Sequence, residues 1–330
     1  MGRAIDAIVL AGNRGSARNF SASNLPSDNL PSDNTSLQNT SLQNTSLQNK
    51  AFLEINGEPL IQKIIDALQL VPLVDRIVIV GPDDRMGFLR EQESVMTLEQ
   101  GDTLYQNFWK GFAFLVWGDA DVAMCEADAN DRDKAVLVVP SDMPFPDPEE
   151  ISEFLAACMA RNLDYGVGMT DQSYLKRYLP TAERPGFEFQ YLHLDDGSLR
   201  LNNLHYARPF RVENREYIER IYEFRYQKDL ANIFGVAWDL MVRQGLGMAA
   251  VRTYLLLQLA NLGHRTNSRW LSNWSRAGLT RHRITEIACR LLGGKTEIVE
   301  TTKGNCAIDI DNQQDYLTLS RHYDEFEEDL

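Results

Sequence analysis

The apolar positions of this chain fall into runs that alternate between two periods. AIDAIVLAG (residues 4–12) is an almost unbroken apolar run closed by glycine, the pattern of a strand buried on both faces. DRIVIVGP (75–82) and KAVLVVPSDMPF (134–145) repeat that pattern. After a short strand and a turn at Asn56-Gly57 the spacing becomes helical, with Leu60, Ile61, Ile64, Ile65 and Leu68 on one face. GDTLYQNFWKGFAFLVWG (101–118) reads as a second helix that Asp102 or Thr103 caps. DPEEISEFLAACMARN (147–162) reads as a third. Strand and helix in alternation predict a parallel sheet with helices on both faces.

The second half follows a different pattern. FEFQYLHLDDGSLRLNNLHYARP (187–209) holds two extended runs around Asp196-Gly197, a hairpin signal. Residues 213–294 then read as almost wholly helical, with YIERIYEFRY and AVRTYLLLQLANLG as the clearest amphipathic pieces. KTEIVET and CAIDID return to strand, and NQQDYLTLSRHY forms a last helix before an acidic tail. The predicted organisation is therefore one α/β domain from residues 1–212 and 295–330, interrupted by a helical subdomain at 213–294.

Low-complexity sequence interrupts the first of these units. From Asn24 the chain repeats NLPSD twice and NTSLQ three times, ending at Gln48, with Asn49-Lys50 following. The Asn, Ser, Asp, Pro and Gln content of residues 24–49 cannot bury a core, so the block reads as a disordered loop.

Charge narrows the partners. The formal net charge is −14, which argues against broad nucleic-acid binding but leaves room for a small phosphorylated ligand held by a few local cations. The four cysteines (Cys125, Cys158, Cys289, Cys306) lack metal-ligand spacing and read as reduced thiols of a cytoplasmic protein. The N-terminus lacks a signal-peptide layout, and no apolar run approaches the ~20 residues of a membrane span. AAVRTYLLLQLANLG reads as the core of the helical subdomain. The alternative is a surface helix touching a membrane or a lipid-linked acceptor, which the net charge disfavours. The five histidines are scattered, and Arg281-His282-Arg283 reads as a surface cluster at a helix start, with contact to an acidic group as the alternative.

Ligands of open parallel sheets bind beyond the carboxyl ends of the strands, so the candidate chemistry lies just after each one. After the first strand come Gly12, Asn13, Arg14, Gly15 and Ser16. Glycines there let backbone N–H groups approach an anion and Arg14 fork onto phosphate; a plain strand-to-loop turn is the alternative. Asp142, in Ser141-Asp142-Met143-Pro144, either caps the following turn or holds Mg²⁺. Asp309 and Asp311 alternate with isoleucines and so share one side of a strand, as metal ligands or as a solvated strand face.

Taken in order, AIVLAG-x-R-G, KAFLEINGEPLI, VVPSDMPF and AIDIDNQQDY resemble the MobA-like nucleotidyltransferases, of the wider GT-A type nucleotide-diphospho-sugar transferase fold. The likeness covers residues 4–171 and about 295–323. It implies a Rossmann-like, mixed and mostly parallel sheet, and a Mg²⁺-dependent transfer (Mn²⁺ as the alternative ion) of a nucleoside monophosphate from an NTP, CTP or GTP, to a phosphorylated acceptor. The loop Leu10, Ala11, Gly12, Asn13, Arg14 and Gly15 would wrap the triphosphate. Lys50 would contact its phosphates. Gly101, Asp102 and Asn107 would frame the nucleobase. Asp142 matches the metal-binding aspartate, and Asp309 or Asp311 the second carboxylate. The 191–209 hairpin looks like the acceptor side, with Asn203 as its contact. Asn13 departs from the glycine usual at its position.

Two other readings compete. One is a GT-A type glycosyltransferase, which would ordinarily carry DxD where this chain has SDM; the other is a non-catalytic nucleotide-binding regulator. In the family resembled, the stretch between the phosphate loop and Lys50 varies in length, and each doubling of a loop costs only about 0.6 kcal/mol. Deleting Asn24 to Gln48 is therefore expected to spare turnover. Side-by-side rates of the shortened and full chains check this, and total loss would sink the reading of the repeats as a spacer.

Overall fold

The computed structural model describes residues 4–12, 49–89, 94–122, 131–215, 252–253, 255–260, 263, 266 and 269–328. The elements in chain order are β1 (Ile5–Leu10), β2 (Glu54–Ile55), β3 (Glu58–Pro59), α1 (Leu60–Gln69), β4 (Val74–Gly81), β5 (Val95–Glu99) and α2 (Leu104–Trp117). There follow β6 (Val136–Pro140), α3 (Pro148–Ala160), β7 (Tyr165–Asp171), β8 (Leu192–His193) and β9 (Ser198–Ala207). The described part closes with α4 (Arg269–Arg276), α5 (Arg281–Leu292), β10 (Thr296–Thr301) and α6 (Gln313–Glu328). Among the described residues the main sheet runs β10-β7-β9-β6-β1-β4-β5, with β8 added on β9. β1 is parallel to β4 and β6, β4 to β5, and β7 to β10; β9 runs against its neighbours β6, β7 and β8. The sheet is mixed and mostly parallel, as expected.

The unbroken apolar run of β1 has a direct cause in this layout. Ala7 and Val9 face α1 and α3, packing with Ile61, Ile64, Phe154 and Leu155. Ile8 faces the other way, against Phe112 and Leu115 of α2. A strand covered on both sides has no polar face to alternate with. Helix α2 comes close because Gly111 is bare; a Cβ there would lie 2.9 Å from Ile8 Cγ2. A separate aromatic cluster of Phe145, Tyr178, Phe187, Tyr323 and Phe326 seats α6, and with it the buried Ile308 and Ile310.

Several elements differ from the sequence reading. β5 was not expected, because VMTLE is short and only half-buried at the sheet edge. CAIDID is not a strand: Asn305–Ala307 make a 3-10 turn, Ile308 is extended, and residues 308–311 have no strand partner among the described residues. The isoleucines are nonetheless buried and the aspartates turned away from them, so the alternation holds while the ladder does not. Arg281 is not a free surface cation, since it pairs with Asp196 at 2.7 Å and with Glu300. The hairpin forms around Asp196-Gly197, but its first arm is only Leu192–His193. His193 is buried and bonded to Ser198, and the half-buried His205 bonds to the Tyr165 hydroxyl, each at 2.9 Å. Of the helical stretch, residues 216–250 lie outside the described residues, as do Cys125 and the repeats up to Gln48. In AVRTYLLLQLANLG, Leu256 and Ala260 pack on Met169, Leu194 and Leu199, which is the core reading. No helix among the described residues is long and apolar enough to cross a membrane.

Asp147 begins α3 by accepting from the N–H groups of Glu149 and Glu150, and also binds Lys303 at 3.1 Å and Asn305 at 2.8 Å. Partial burial pushes its carboxyl up, but the helix N–H groups, Lys303 and Asn305 outweigh this and hold it below its ordinary value. Asp147→Ala is expected to cost about 1–2 kcal/mol, read from the midpoint of urea unfolding. Because the folded pKa is the lower one, that stabilisation is complete above the ordinary carboxyl pKa. It fades as pH falls through the folded value, so wild type and variant should converge in acid.

Candidate active site

The site begins at the carboxyl end of β1. Ala11 N–H donates to Val80 O at 2.9 Å, keeping the chain paired with β4 for one residue past the strand. Gly12 then lies directly against Asn107 and Gln100. A Cβ on Gly12 would overlap the Asn107 amide and meet Gln100 Oε1 at 3.0 Å, so a larger residue there would displace the Asn107 side chain. Asn107 is buried near the start of α2 and accepts from Gly101 N–H at 2.6 Å. Thr103 is the residue that caps α2, in a capping box with Gln106, whose side chain also takes the Asp102 N–H at 2.8 Å. Asn107, distant in sequence from Gly12, is thus set against it with Gly101 bonded to its amide, and Asp102 follows Gly101 as an exposed residue at the helix start.

Lys50 returns to the same edge. Its neighbour Asn49 caps the 3-10 turn Lys50–Phe52, accepting from Ala51 N–H at 3.1 Å. The Asn49 amide donates in turn to Ala11 O at 2.8 Å, which joins the two ends of the 12–49 stretch. From there the Lys50 ammonium reaches Asp142 Oδ2 and Asp311 Oδ1, at 3.5 Å each. Asn13, Arg14 and Gly15 lie outside the described residues.

Asp142 follows β6, and its carbonyl accepts from Ile310 N–H at 3.1 Å, so the two acid-bearing segments are joined through the backbone. Burial pushes the Asp142 carboxyl above its ordinary range; Lys50 opposes this and Asp311 adds to it. The side chain of Asp311 is 60% exposed, whereas that of Asp309 is 11% exposed and ion-paired with Arg200. Burial pushes Asp309 up to about 6, with Arg200 acting against that and the two other aspartates reinforcing it. Asp309 and Asp311, alternatives in the sequence, thus have different partners here. Asp311 shares Lys50 with Asp142, and Asp309 is occupied by Arg200.

Arg200 was missed by sequence reasoning. It donates to Ala307 O at 2.8 Å and stacks 4.8 Å from the Phe189 ring centre. Its only sequence signal is a cation between Leu199 and Leu201 on a strand of alternating burial, which many surface strands share. Asn203 sits on β9 at φ 61° and donates to Cys306 O at 3.1 Å, so its amide braces the turn before Asp309.

Residues 44–182 match the model of the MobA-like NTP transferase domain. A hypothetical transferase from Thermus thermophilus is similar in structure, at 16% identity and a TM-score of 0.59, over 95% of this chain and 99% of that one. 4-Diphosphocytidyl-2C-methyl-D-erythritol synthase from Anaerococcus prevotii overlaps 98% of this chain and 100% of its own at 11% identity and a TM-score of 0.43. A CMP:2-keto-3-deoxy-manno-octonic acid synthetase, complexed with CTP, overlaps 98% of this chain and 99% of its own, also at 11% and 0.43. Comparison with curated proteins gave no match. The likeness to the Thermus thermophilus protein is one of fold.

Proposed function

We propose that this chain, whose residues 44–182 match the MobA-like NTP transferase domain model, is a nucleotidyltransferase that moves a nucleoside monophosphate from an NTP to a phosphorylated acceptor. The observation that carries the reading is the convergence of Lys50, Asp142 and Asp311 beyond the carboxyl ends of β1 and β6. A glycine-bounded cradle formed by Gly12, Gly101 and Asn107 lies beyond β1 on the same edge.

An acceptor oxygen attacks the α-phosphorus of the NTP. The new bond joins that oxygen to phosphorus, the bond to the α,β-bridging oxygen breaks, and pyrophosphate departs with the electron pair. Such a transfer needs no covalent enzyme intermediate; it needs alignment and neutralisation of charge. Lys50 places an ammonium beside the transferred and leaving phosphates. Gly12 leaves room for phosphate against the backbone, and Arg14 is proposed to complete the loop.

The donor set suits a Mg²⁺ ion, with Mn²⁺ as the alternative. Among the described residues no three side chains of metal-ligating type converge. A cation here would therefore take Asp142 and Asp311 and complete its oxygen shell with phosphate and water, a common arrangement for Mg²⁺. When bound it would polarise the α-phosphoryl oxygen and offset the charge of the pyrophosphate. Asp309, held by Arg200, would then orient the segment rather than bind the metal. The proposed organisation is a transferase unit at 1–212 and 295–330 with a helical insertion at 213–294.

The test is a matrix of the four NTPs, CTP and GTP first, against phosphorylated acceptors, read by pyrophosphate release with Mg²⁺. Release from one NTP that depends on one acceptor supports the reading. Binding of an NTP without release across the matrix would favour the regulator, and turnover of a nucleotide sugar the glycosyltransferase.

A further inference from the structure

Glu150 is fully buried, yet its partners among the described residues are neutral donors. They are the Thr301 hydroxyl, the Cys306 N–H at 2.9 Å and the Asn202 amide at 3.5 Å. Glu150 occupies the third position of α3, from which a glutamate commonly folds back onto the capping residue. Here the side chain crosses instead to the end of β10 and the turn beyond it. The start of α3 favours its negative charge. Asn202 and Thr301 are themselves bonded at 2.8 Å, and Thr301 to Thr170 at 3.0 Å, so the carboxylate sits in a closed, buried network. A side chain at Gly168 would overlap Asn202, so that glycine makes the space this network fills.

Cys306 is where the network meets the site. Its N–H goes to Glu150, its carbonyl accepts from Asn203, and the next carbonyl, of Ala307, accepts from Arg200. Three residues on is Asp309, and five on is Asp311, both on a segment that lacks a strand partner among the described residues. Without a ladder among the described residues, this segment takes its position from such side-chain ties together with the bond from Ile310 N–H to the Asp142 carbonyl. We propose that Glu150 is a positioning residue: through the Cys306 N–H it sets where Asp309 and Asp311 stand relative to Asp142 and Lys50. Its effect on turnover rests on the nucleotidyltransferase reading; its effect on the segment does not.

The experiment compares Glu150→Ala, Glu150→Asp and Glu150→Gln by pyrophosphate release and by hydrogen exchange of the peptide covering 304–311. Alanine removes the acceptor, aspartate keeps the charge but is too short to reach Cys306, and glutamine keeps both reach and one acceptor. A misplacement of about 1 Å can cost on the order of 10²-fold in rate. Glu150→Ala and Glu150→Asp are therefore expected to lower kcat by roughly 10- to 100-fold, with KM for the NTP within about 3-fold. Exchange at 304–311 should quicken in both while peptides from β1 and β4 keep wild-type rates, and Glu150→Gln should restore most of each. If Glu150→Ala does not fold, Glu150→Asp carries the test alone. Wild-type exchange at 304–311 in the aspartate variant would overturn the proposal, as would quickening spread evenly over the sheet. A wild-type chain that releases no pyrophosphate would defeat the functional reading and leave the exchange result to decide the positioning.

Discussion

Asp142→Ala is expected to lower pyrophosphate release by at least about 10²–10³-fold, the loss typical of removing one preorganised electrostatic group. The carboxylate is held where it is by the backbone: Ile310 N–H bonds to the Asp142 carbonyl, not to its side chain. Truncation therefore removes the charge without cutting the tie between the two acid-bearing segments. The side chain is 20% exposed and its charge is poorly compatible with burial, so the variant should fold at least as well as wild type. Asp142→Asn separates charge from shape and should be nearly as impaired. The check is kcat and KM by pyrophosphate release, with an unfolding curve for each variant. Wild-type turnover in either variant would remove Asp142 from the site.

Lys50→Ala is expected to cost about 10²-fold in kcat/KM, for two reasons that act together. The ammonium is lost from beside the phosphates, and Asp142 and Asp311 lose the cation that lies 3.5 Å from each. Two nearby carboxylates without a countercharge repel, and Asp142, already pushed up by burial, becomes still harder to ionise. Lys50→Arg keeps the charge but spreads it over a planar fork, so partial recovery is expected rather than full activity. If Lys50 acts on the transition state, the loss appears mainly in kcat; a rise in KM alone would make it a ground-state binding residue. Equal rates for Lys50→Ala and wild type would falsify its assignment.

Much of the architecture was legible because its signals are local. β1, β4 and β6 each present a short apolar run, and only a strand covered on both faces needs one. α2 and α3 begin at Thr103 and Asp147, side chains suited to the free N–H groups of a helix start. Asp142 was legible in the same way, as a carboxylate at the end of a buried strand. β5 and the unpaired course of Ile308 to Asp311 were not, since half-burial and missing partners leave no distinctive period. Arg200 was invisible for a related reason: nothing in SLRLNN says which segment will lie beside it.

What the sequence determined by itself is the alternation of β1, β4 and β6 with α1, α2 and α3, and the edge on which the chemistry would gather, because the period of apolar residues reports burial locally. The tertiary structure decided which side chains share that edge. Lys50 and Asp311 are 261 positions apart, and they meet because Asn49 is tied to the end of β1 and Ile310 to Asp142. The antiparallel insertion of β9 between β6 and β7 brings Arg200 to Asp309 and leaves Asp311 to Lys50. Such pairings depend on strand order and on hydrogen bonds between distant segments, and no local period encodes either.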